Sequence, residues 1–124
     1  MILDAGFLIS VERDEELARA LITAFQRRRI ALHTTDPVVG QVWRNGARQA
    51  RLSAFLKTVE VHPLDDGRAV GVLLARSGTS DVVDAHLVVL AVRLRDSILT
   101  GDEADLMTIA DSLSSNRPTI ELWP

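Results

Sequence analysis

The chain has 124 residues, which is enough for one domain with a buried core and too few for two. Apolar residues make up 47% of it and charged residues 25%, as in ordinary globular proteins. It has no cysteine, so disulfides and thiolate metal sites are excluded. The formal net charge of −3 does not exclude a nucleic-acid partner, because divalent cations bound at an acidic site would offset it. We expect a single domain over residues 1–124.

The sequence offers no sign of export or of membrane insertion. The N-terminus lacks the charged start and apolar run of a signal peptide. The longest apolar stretch, residues 87–92, is far below the roughly 20 residues needed to span a bilayer. We therefore expect a cytoplasmic protein with no membrane role.

Short apolar runs alternate with helical patterns along the chain. The predicted strands cover residues 1–3, 30–33, 58–62, 97–100 and 119–122. The predicted helices cover residues 15–29, 36–45, 47–57, 65–76, 81–94 (with Ser80 as N-cap) and 103–113. This alternation predicts an α/β fold, a three-layer α/β/α sandwich around a parallel sheet. Such sheets bind ligands at the carboxyl ends of their strands.

Aspartates occupy that end of the predicted sheet. Asp4 follows the first strand, and Asp102 follows the fourth. Asp84 lies in the first turn of an otherwise apolar helix, with Asp81 three residues before it. Asp105 stands one turn beyond Asp102. If the first and fourth strands are neighbours, these five side chains meet in one pocket.

Carboxylates held a few ångströms apart repel each other and need a counter-charge. A hard divalent cation, Mg²⁺ or Mn²⁺, supplies it through oxygen ligands and favours phosphodiester hydrolysis. Ordinary explanations exist for three of the residues: Asp102 and Asp105 would also suit helix capping, and Asp81 would also suit the helix dipole. Asp84 fits none of these, since an unpaired carboxylate in an apolar stretch is costly.

Three short segments resemble the PIN domain family, and in size the chain is similar to the VapC-type toxins of bacterial toxin–antitoxin pairs. The segments are Ile-Leu-Asp-Ala at residues 2–5, Val-Asp-Ala-His-Leu at 83–87 and Leu-Thr-Gly-Asp at 99–102. They match the family's opening hydrophobic-Asp, its Asp-Ala at the start of a buried helix, and its Thr-x-Asp after a strand. Asp84 and Asp102 are 18 residues apart, which is typical of compact PIN domains.

The resemblance implies an endoribonuclease whose metal ligands and catalytic residues are Asp4, Asp84 and Asp102. The residues implied to support the metal or its waters are Asp81, Asp105, Gln41 and Thr100. It further implies an RNA substrate, inhibition by a small antitoxin protein, and a homodimer. Apolar residues of the two helices in 37–57 are candidates for such an interface, with inward packing as the alternative.

Two positions depart from the family pattern. Gln41, 37 residues after Asp4, occupies the place of the family's usual glutamate. Gly6 replaces the small polar residue that commonly follows the first aspartate by two positions. Because glutamine can offer an oxygen but no charge, a second interpretation stands: a catalytically weak or inactive PIN-like module that binds RNA or protein. A receiver-like phosphate acceptor is disfavoured, since the only lysine, Lys57, comes too early.

Several basic and aromatic residues are candidates for RNA contacts. Arg44, Arg48 and Arg51 recur at i, i+4 and i+7, so an uninterrupted helix would align them to hold phosphates. A solvated helix face or an acidic partner segment would explain them equally well. Trp43 and Trp123 fit core or interface positions better than base stacking.

The three histidines give no sequence signal for a metal site. His33, His62 and His86 show no metal-ligand spacing with one another. Only His86 lies near the proposed site in sequence, and we expect it to face outward beside Asp84.

Overall fold

The computed structural model describes residues 1–123, and it places five short strands in one sheet. Every pair of neighbouring strands is parallel, which confirms the predicted sheet. The strands are β1 (Ile2–Leu3), β2 (His33–Thr35), β3 (Glu60–His62), β4 (Ile98–Thr100) and β5 (Ile120–Leu122).

The strand order β3-β2-β1-β4-β5 makes β1 and β4 neighbours. Ile2 pairs with Ile98 and Leu3 with Leu99 in this central pair. The chain moves outward from β1 to β3 and then crosses back to β4, so the strand order reverses between β1 and β4. Ligand crevices of open α/β sheets form at this point, outside the carboxyl ends of the strands.

Helices cover both faces of the sheet and confirm the three-layer α/β/α architecture. Helices α1 to α4 pack together in one layer, and α5, α6 and α7 pack together in the other. Their bounds are α1 (Ala5–Glu12), α2 (Glu16–Arg27), α3 (Asp36–Val42), α4 (Ala50–Leu56), α5 (Gly67–Ser77), α6 (Val82–Leu94) and α7 (Ala104–Asp111).

Helix α1 is missing from the sequence prediction. Its residues are mostly apolar around the whole circumference, so they lack the 3.6-residue periodicity of an amphipathic helix. The helix buries Phe7, Leu8 and Val11. It begins where the Asp4 carboxylate accepts a hydrogen bond from the Phe7 backbone N–H at 3.1 Å. Asp4 is therefore an N-cap as well as a candidate ligand.

The N-cap predicted for α6 is wrong by one residue. Asp81, not Ser80, precedes the helix, and its Oδ1 accepts a hydrogen bond from the Asp84 backbone N–H at 3.0 Å. Either side chain suits this position, and the carboxylate adds a favourable interaction with the helix dipole. Helix α6 is buried along most of its length, as its apolar sequence predicts. No helix within residues 1–123 is both long and apolar enough to cross a membrane.

The two helices predicted over residues 36–45 and 47–57 are both present but shorter, and the non-helical segment between them covers residues 43–49. The side chain of Gln49, which is 5% exposed, organises this segment. Its Oε1 accepts from the backbone N–H groups of Arg44 and Asn45 at 2.8 and 2.9 Å, and its Nε2 donates to Val42 O at 2.9 Å. These bonds replace the helical ones, so the pattern of three arginines at i, i+4 and i+7 does not lie on one helix.

The candidate interface residues of this region pack mostly inward. Val38, Val42, Leu52 and Phe55 all belong to the core. Trp123 is also core, at 4% exposed, with its ring edge-on to Phe7 at 5.1 Å between centroids. Within residues 1–123 the exposed large hydrophobic residues lie elsewhere, and they are Leu17, Val72, Val82, Met107 and Leu122.

Replacing Gly6 with alanine is expected to stabilise the fold. Gly6 is in α1, where a Cβ would meet only the Asp4 oxygens at 3.5 and 3.9 Å, which is ordinary contact. Alanine has the higher helix propensity and fewer unfolded conformations, so we expect a gain of about 0.5–1 kcal/mol in unfolding free energy. Urea denaturation measures it. Gly78→Ala is the control with the opposite sign, since Gly78 has φ +69°. A destabilised Gly6→Ala variant would contradict this packing of α1.

Candidate metal centre at the carboxyl end of the sheet

Thr100 links the aspartates that follow the two central strands. The Thr100 hydroxyl lies 2.5 Å from Asp4 Oδ2 and 3.0 Å from the Asp102 backbone oxygen, and it accepts from the Asp102 N–H at 3.1 Å. A hydroxyl has one proton to donate, and the shorter contact to a carboxylate is the stronger bond. Thr100 is 1% exposed, so this buried hydroxyl holds Asp4 next to the start of the β4–α7 loop.

The remaining aspartates come from the helices that begin at the same edge. Asp84 is half-buried in the first turn of α6, and Asp81 caps that helix. Asp105 lies exposed in the first turn of α7. Asp102 Oδ1 accepts from the Ala104 N–H at 3.3 Å, but the N-cap of α7 is Glu103, so Asp102 and Asp105 do not form the capping pair that the sequence allowed. Capping leaves lone pairs free on each carboxylate.

The other four carboxylates are close enough to affect the protonation of Asp84. Burial first, and then the negative charges of Asp81, Asp105, Asp4 and Asp102, raise the pKa of Asp84 from 3.8 to about 6. The structure thus places Asp4, Asp81, Asp102 and Asp105 near enough to Asp84 for their charges to act on it, although within residues 1–123 only His33, Glu60 and His62 have three ligand atoms within 4.8 Å of one another. Burial is the largest cause of this pKa shift, and the negative charge at the β1–β4 switch point adds to it.

Little in the protein offsets this charge. Within residues 1–123 none of the five aspartates forms an ion pair with an arginine, a lysine or a histidine. The N-termini of α1, α6 and α7 face the site, and each helix dipole favours a nearby anion by about 0.3–1 kcal/mol. The raised pKa of Asp84 shows that these dipoles are insufficient.

This donor set fits a hard divalent cation. Every candidate ligand atom is a carboxylate or hydroxyl oxygen, which Mg²⁺ and Mn²⁺ prefer. A cation at this point would remove the repulsion that raises the pKa of Asp84. Asp84 and Asp4 are only partly exposed and Asp102 is exposed, so solvent and a substrate have access from one side.

Gln41 and three arginines lie around the second half of α1. Gln41 is exposed and lines a hollow of about 460 Å³ together with Arg13, Arg44, Arg48 and the acidic Glu12, and none of the five aspartates lines this hollow. Arg13 was not anticipated, because its contribution depends on the unpredicted helix α1. Arg51 instead donates from Nε to the Glu12 backbone oxygen at 3.1 Å.

One expectation about the histidines is wrong, and one contact between them was not predicted. His86 does not face outward: it is 2% exposed, and its Nδ1 has no hydrogen-bond partner among the described residues. Burial lowers its pKa and so favours the neutral ring. His33 and His62 meet despite being 29 residues apart, because β2 and β3 are neighbours. Only the strand register, which the sequence does not reveal, brings the two rings together.

Comparison with solved structures identifies a protein of similar fold, but no comparison identifies a family for this chain. No family model matches the chain, and no curated protein matches it. Among solved structures, a chain in the crystal structure of VapBC2 from Rickettsia felis bound to a DNA fragment from their promoter matches with a TM-score of 0.69 and 13% identity. The match covers 99% of this chain and 98% of that one. The two proteins share a fold over nearly their whole lengths.

Replacing Asp84 with asparagine is expected to stabilise the protein at pH 7 in the presence of EDTA. One pKa unit corresponds to 1.36 kcal/mol, and solvent screening of a half-buried group reduces the effect to about 1 kcal/mol. The folded carboxyl keeps its proton up to a higher pH than the unfolded one. The Asp84 carboxyl therefore makes the unfolding free energy of the wild type fall as the pH rises from about 4 to about 6. In the Asp84→Asn variant, the fall of the unfolding free energy between pH 4 and pH 6 should therefore be smaller than in the wild type.

Chemical denaturation between pH 4 and 7 measures this effect. Glu121→Gln removes an exposed carboxylate on β5 and serves as the control, for which we expect an unchanged slope. An Asp84→Asn variant with the wild-type slope and lower stability at pH 7 would mean that the carboxylates do not repel one another in solution.

Proposed function

We propose that this protein is a metal-dependent endoribonuclease of the PIN type, in which Asp4, Asp84 and Asp102 hold Mg²⁺ or Mn²⁺. The observation that carries the proposal is the raised pKa of Asp84 among four further carboxylates that lack ion-pair partners within residues 1–123. A site that concentrates negative charge in this way is suited to a cation and, through it, to a phosphodiester.

The resemblance to PIN domains supports the same chemistry. Of the three motif aspartates of that resemblance, Asp4 and Asp102 are among the neighbours whose charges raise the pKa of the third, Asp84. The VapBC2 chain has the same fold, and VapC-type toxins are the PIN relatives that this sequence resembles in size. We therefore propose the role of toxin in a type II toxin–antitoxin pair, acting on RNA in the cytoplasm.

The side chains of the site have different roles in the proposed reaction. Asp4, Asp84 and Asp102 bind the cation, and the hydroxyl of Thr100 fixes the Asp4 carboxylate by donating to Oδ2. When bound, the cation lowers the pKa of a coordinated water and offsets charge on the phosphate. Attack of a water on phosphorus with cleavage of the bond to the 3′ oxygen would leave a 5′-phosphate and a 3′-hydroxyl, the proton from the water passing by way of Asp81 or Asp105 to the departing 3′ oxygen. The surrounding carboxylates Asp81 and Asp105 orient waters and accept protons.

Binding of the RNA backbone is assigned to the basic hollow next to α1. Arg13, Arg44 and Arg48 line it together with Gln41, and guanidinium groups bind phosphates through charge and paired hydrogen bonds. Arg51 contributes charge at its rim, although its Nε is already bonded to backbone. An antitoxin tail carrying acidic residues would compete for the same hollow. The homodimer remains a proposal that rests on the family resemblance.

The proposed activity predicts cleavage of structured RNA that depends on Mn²⁺ or Mg²⁺ and stops with EDTA. Asp4→Asn and Asp84→Asn should each reduce the rate by at least about a hundredfold, since each removes a metal ligand and even an outer partner costs about 10- to 100-fold. Gel analysis of end-labelled RNA measures the rate and identifies the 5′-phosphate. Asp111→Asn, an exposed aspartate paired with Arg117, is the matched control and should keep full activity. Cleavage that survives EDTA or both substitutions would contradict the mechanism.

A second candidate function is a catalytically silent PIN-like module that binds RNA or protein. The neutral Gln41 at the family's glutamate position favours it, because the site loses one negative charge for holding a cation. Gln41→Glu separates the two: cleavage that appears only in this variant identifies a silent module, whereas cleavage by the wild type excludes it. Gln41→Asn is the neutral control for the substitution itself.

A further inference from the structure

A second group of metal-ligating side chains lies on β2 and β3, away from the β1–β4 switch point. His33 and Glu60 are paired across the two strands, and His62 is two residues beyond Glu60. Side chains two residues apart on a strand point to the same face of a sheet. The strand register therefore brings three side chains from two strands to one place.

The potential ligand atoms of these side chains converge. His33 Nδ1 lies 3.0 Å from His62 Nε2 and 3.4 Å from Glu60 Oε2, and His62 Nε2 lies 3.9 Å from Glu60 Oε1. Four-coordinate zinc with bonds of about 2.0–2.1 Å to nitrogen sets its ligand atoms about 3.3 Å apart. The separation between the two histidine nitrogens and that between His33 and Glu60 lie on either side of that value. The contact of His62 is with the other Glu60 oxygen, and one ligand atom from each of the three residues lies within 4.8 Å of the other two.

The exposure of the group also suits a bound ion. The side chains of His33 and His62 are 13% and 11% exposed, whereas that of Glu60 is 67% exposed. Two imidazoles thus form a sheltered base, and the carboxylate closes the site from the solvent side. Burial lowers the pKa of His33, which favours the neutral ring that ligates metals.

A hydrogen bond between the rings is the simplest alternative. It would occupy one proton between His33 Nδ1 and His62 Nε2 and would leave the nearby Glu60 carboxylate without a role. A cation uses all three groups at once, because both nitrogens then act as acceptors toward it and the carboxylate balances its charge.

We propose that His33, Glu60 and His62 bind one Zn²⁺ ion, with water in the fourth position. Two imidazole nitrogens and one carboxylate suit zinc and the neighbouring transition metals rather than Mg²⁺. The site joins β3, a three-residue strand at the edge of the sheet, to β2. Its effect is to hold the edge strand in register. The inference is independent of the nuclease proposal, because it uses none of the carboxylates around Asp84.

Zinc binding to the full chain tests the proposal. Titrations are run in an Asp4→Asn/Asp84→Asn background, so that the carboxylate site contributes little, and with excess Mg²⁺ present. We expect one equivalent of Zn²⁺ to bind and to raise the melting temperature, since an ion that binds only the folded form stabilises it. Substituting Co²⁺ should give the visible absorption of a tetrahedral site.

Substitutions at two of the three ligands, His62 and Glu60, test whether these residues bind the zinc. His62→Gln should lower Zn²⁺ affinity by at least about a hundredfold, because loss of even an outer partner of a ligand costs about 10- to 100-fold. Glu60→Gln changes an exposed side chain, so it should keep the fold and still weaken binding by at least about tenfold. Glu121→Gln, an exposed carboxylate on β5, should bind Zn²⁺ like the parent. Zn²⁺ affinity that is unchanged in Glu60→Gln and His62→Gln, or no binding by the parent, overturns the proposal.

Discussion

Repulsion among carboxylates at the β1–β4 switch point is the constraint on which the candidate site depends. The parallel sheet forces Asp4 and Asp102 together, because both follow central strands that end at the same edge. Helix α6 adds Asp84 over this point, in surroundings that make its ionised form costly. This repulsion lowers the unfolding free energy, so burial of apolar side chains elsewhere has to offset it. A bound cation would remove the repulsion and so stabilise the folded protein.

The sequence predicts the parts of this arrangement that follow from local patterns. Alternation of strands and helices indicates the parallel sheet, and a polar residue after an apolar strand indicates its carboxyl edge, so Asp4 and Asp102 could be assigned to one pocket. Helix α1 could not be predicted, because its uniformly apolar residues have no periodicity. The sequence predicts a break near residue 46 but not its extension over residues 43–49, since that extension depends on the buried amide of Gln49 bonding to three backbone groups.

The contact between His33 and His62 could not be predicted from the sequence either. Residues 29 apart carry no spacing signal, and their approach depends on the register between β2 and β3. The two candidate sites also differ in chemistry. The aspartate site offers only oxygen and suits Mg²⁺ or Mn²⁺, whereas the site of His33, Glu60 and His62 offers two nitrogens and suits Zn²⁺. The protein would thus bind hard ions such as Mg²⁺ at the aspartate site and Zn²⁺, a borderline ion, at the site of His33, Glu60 and His62.

The central claim is that a divalent cation relieves the crowding around Asp84, and its carboxyl pKa tests this directly. Selective ¹³C labelling of aspartate and NMR titration give the pKa with and without Mg²⁺. We expect a value of about 6 in the metal-free protein and a value well below that with Mg²⁺ at saturation. A pKa near the ordinary 3.8 without metal, or one that Mg²⁺ leaves unchanged, would contradict the account.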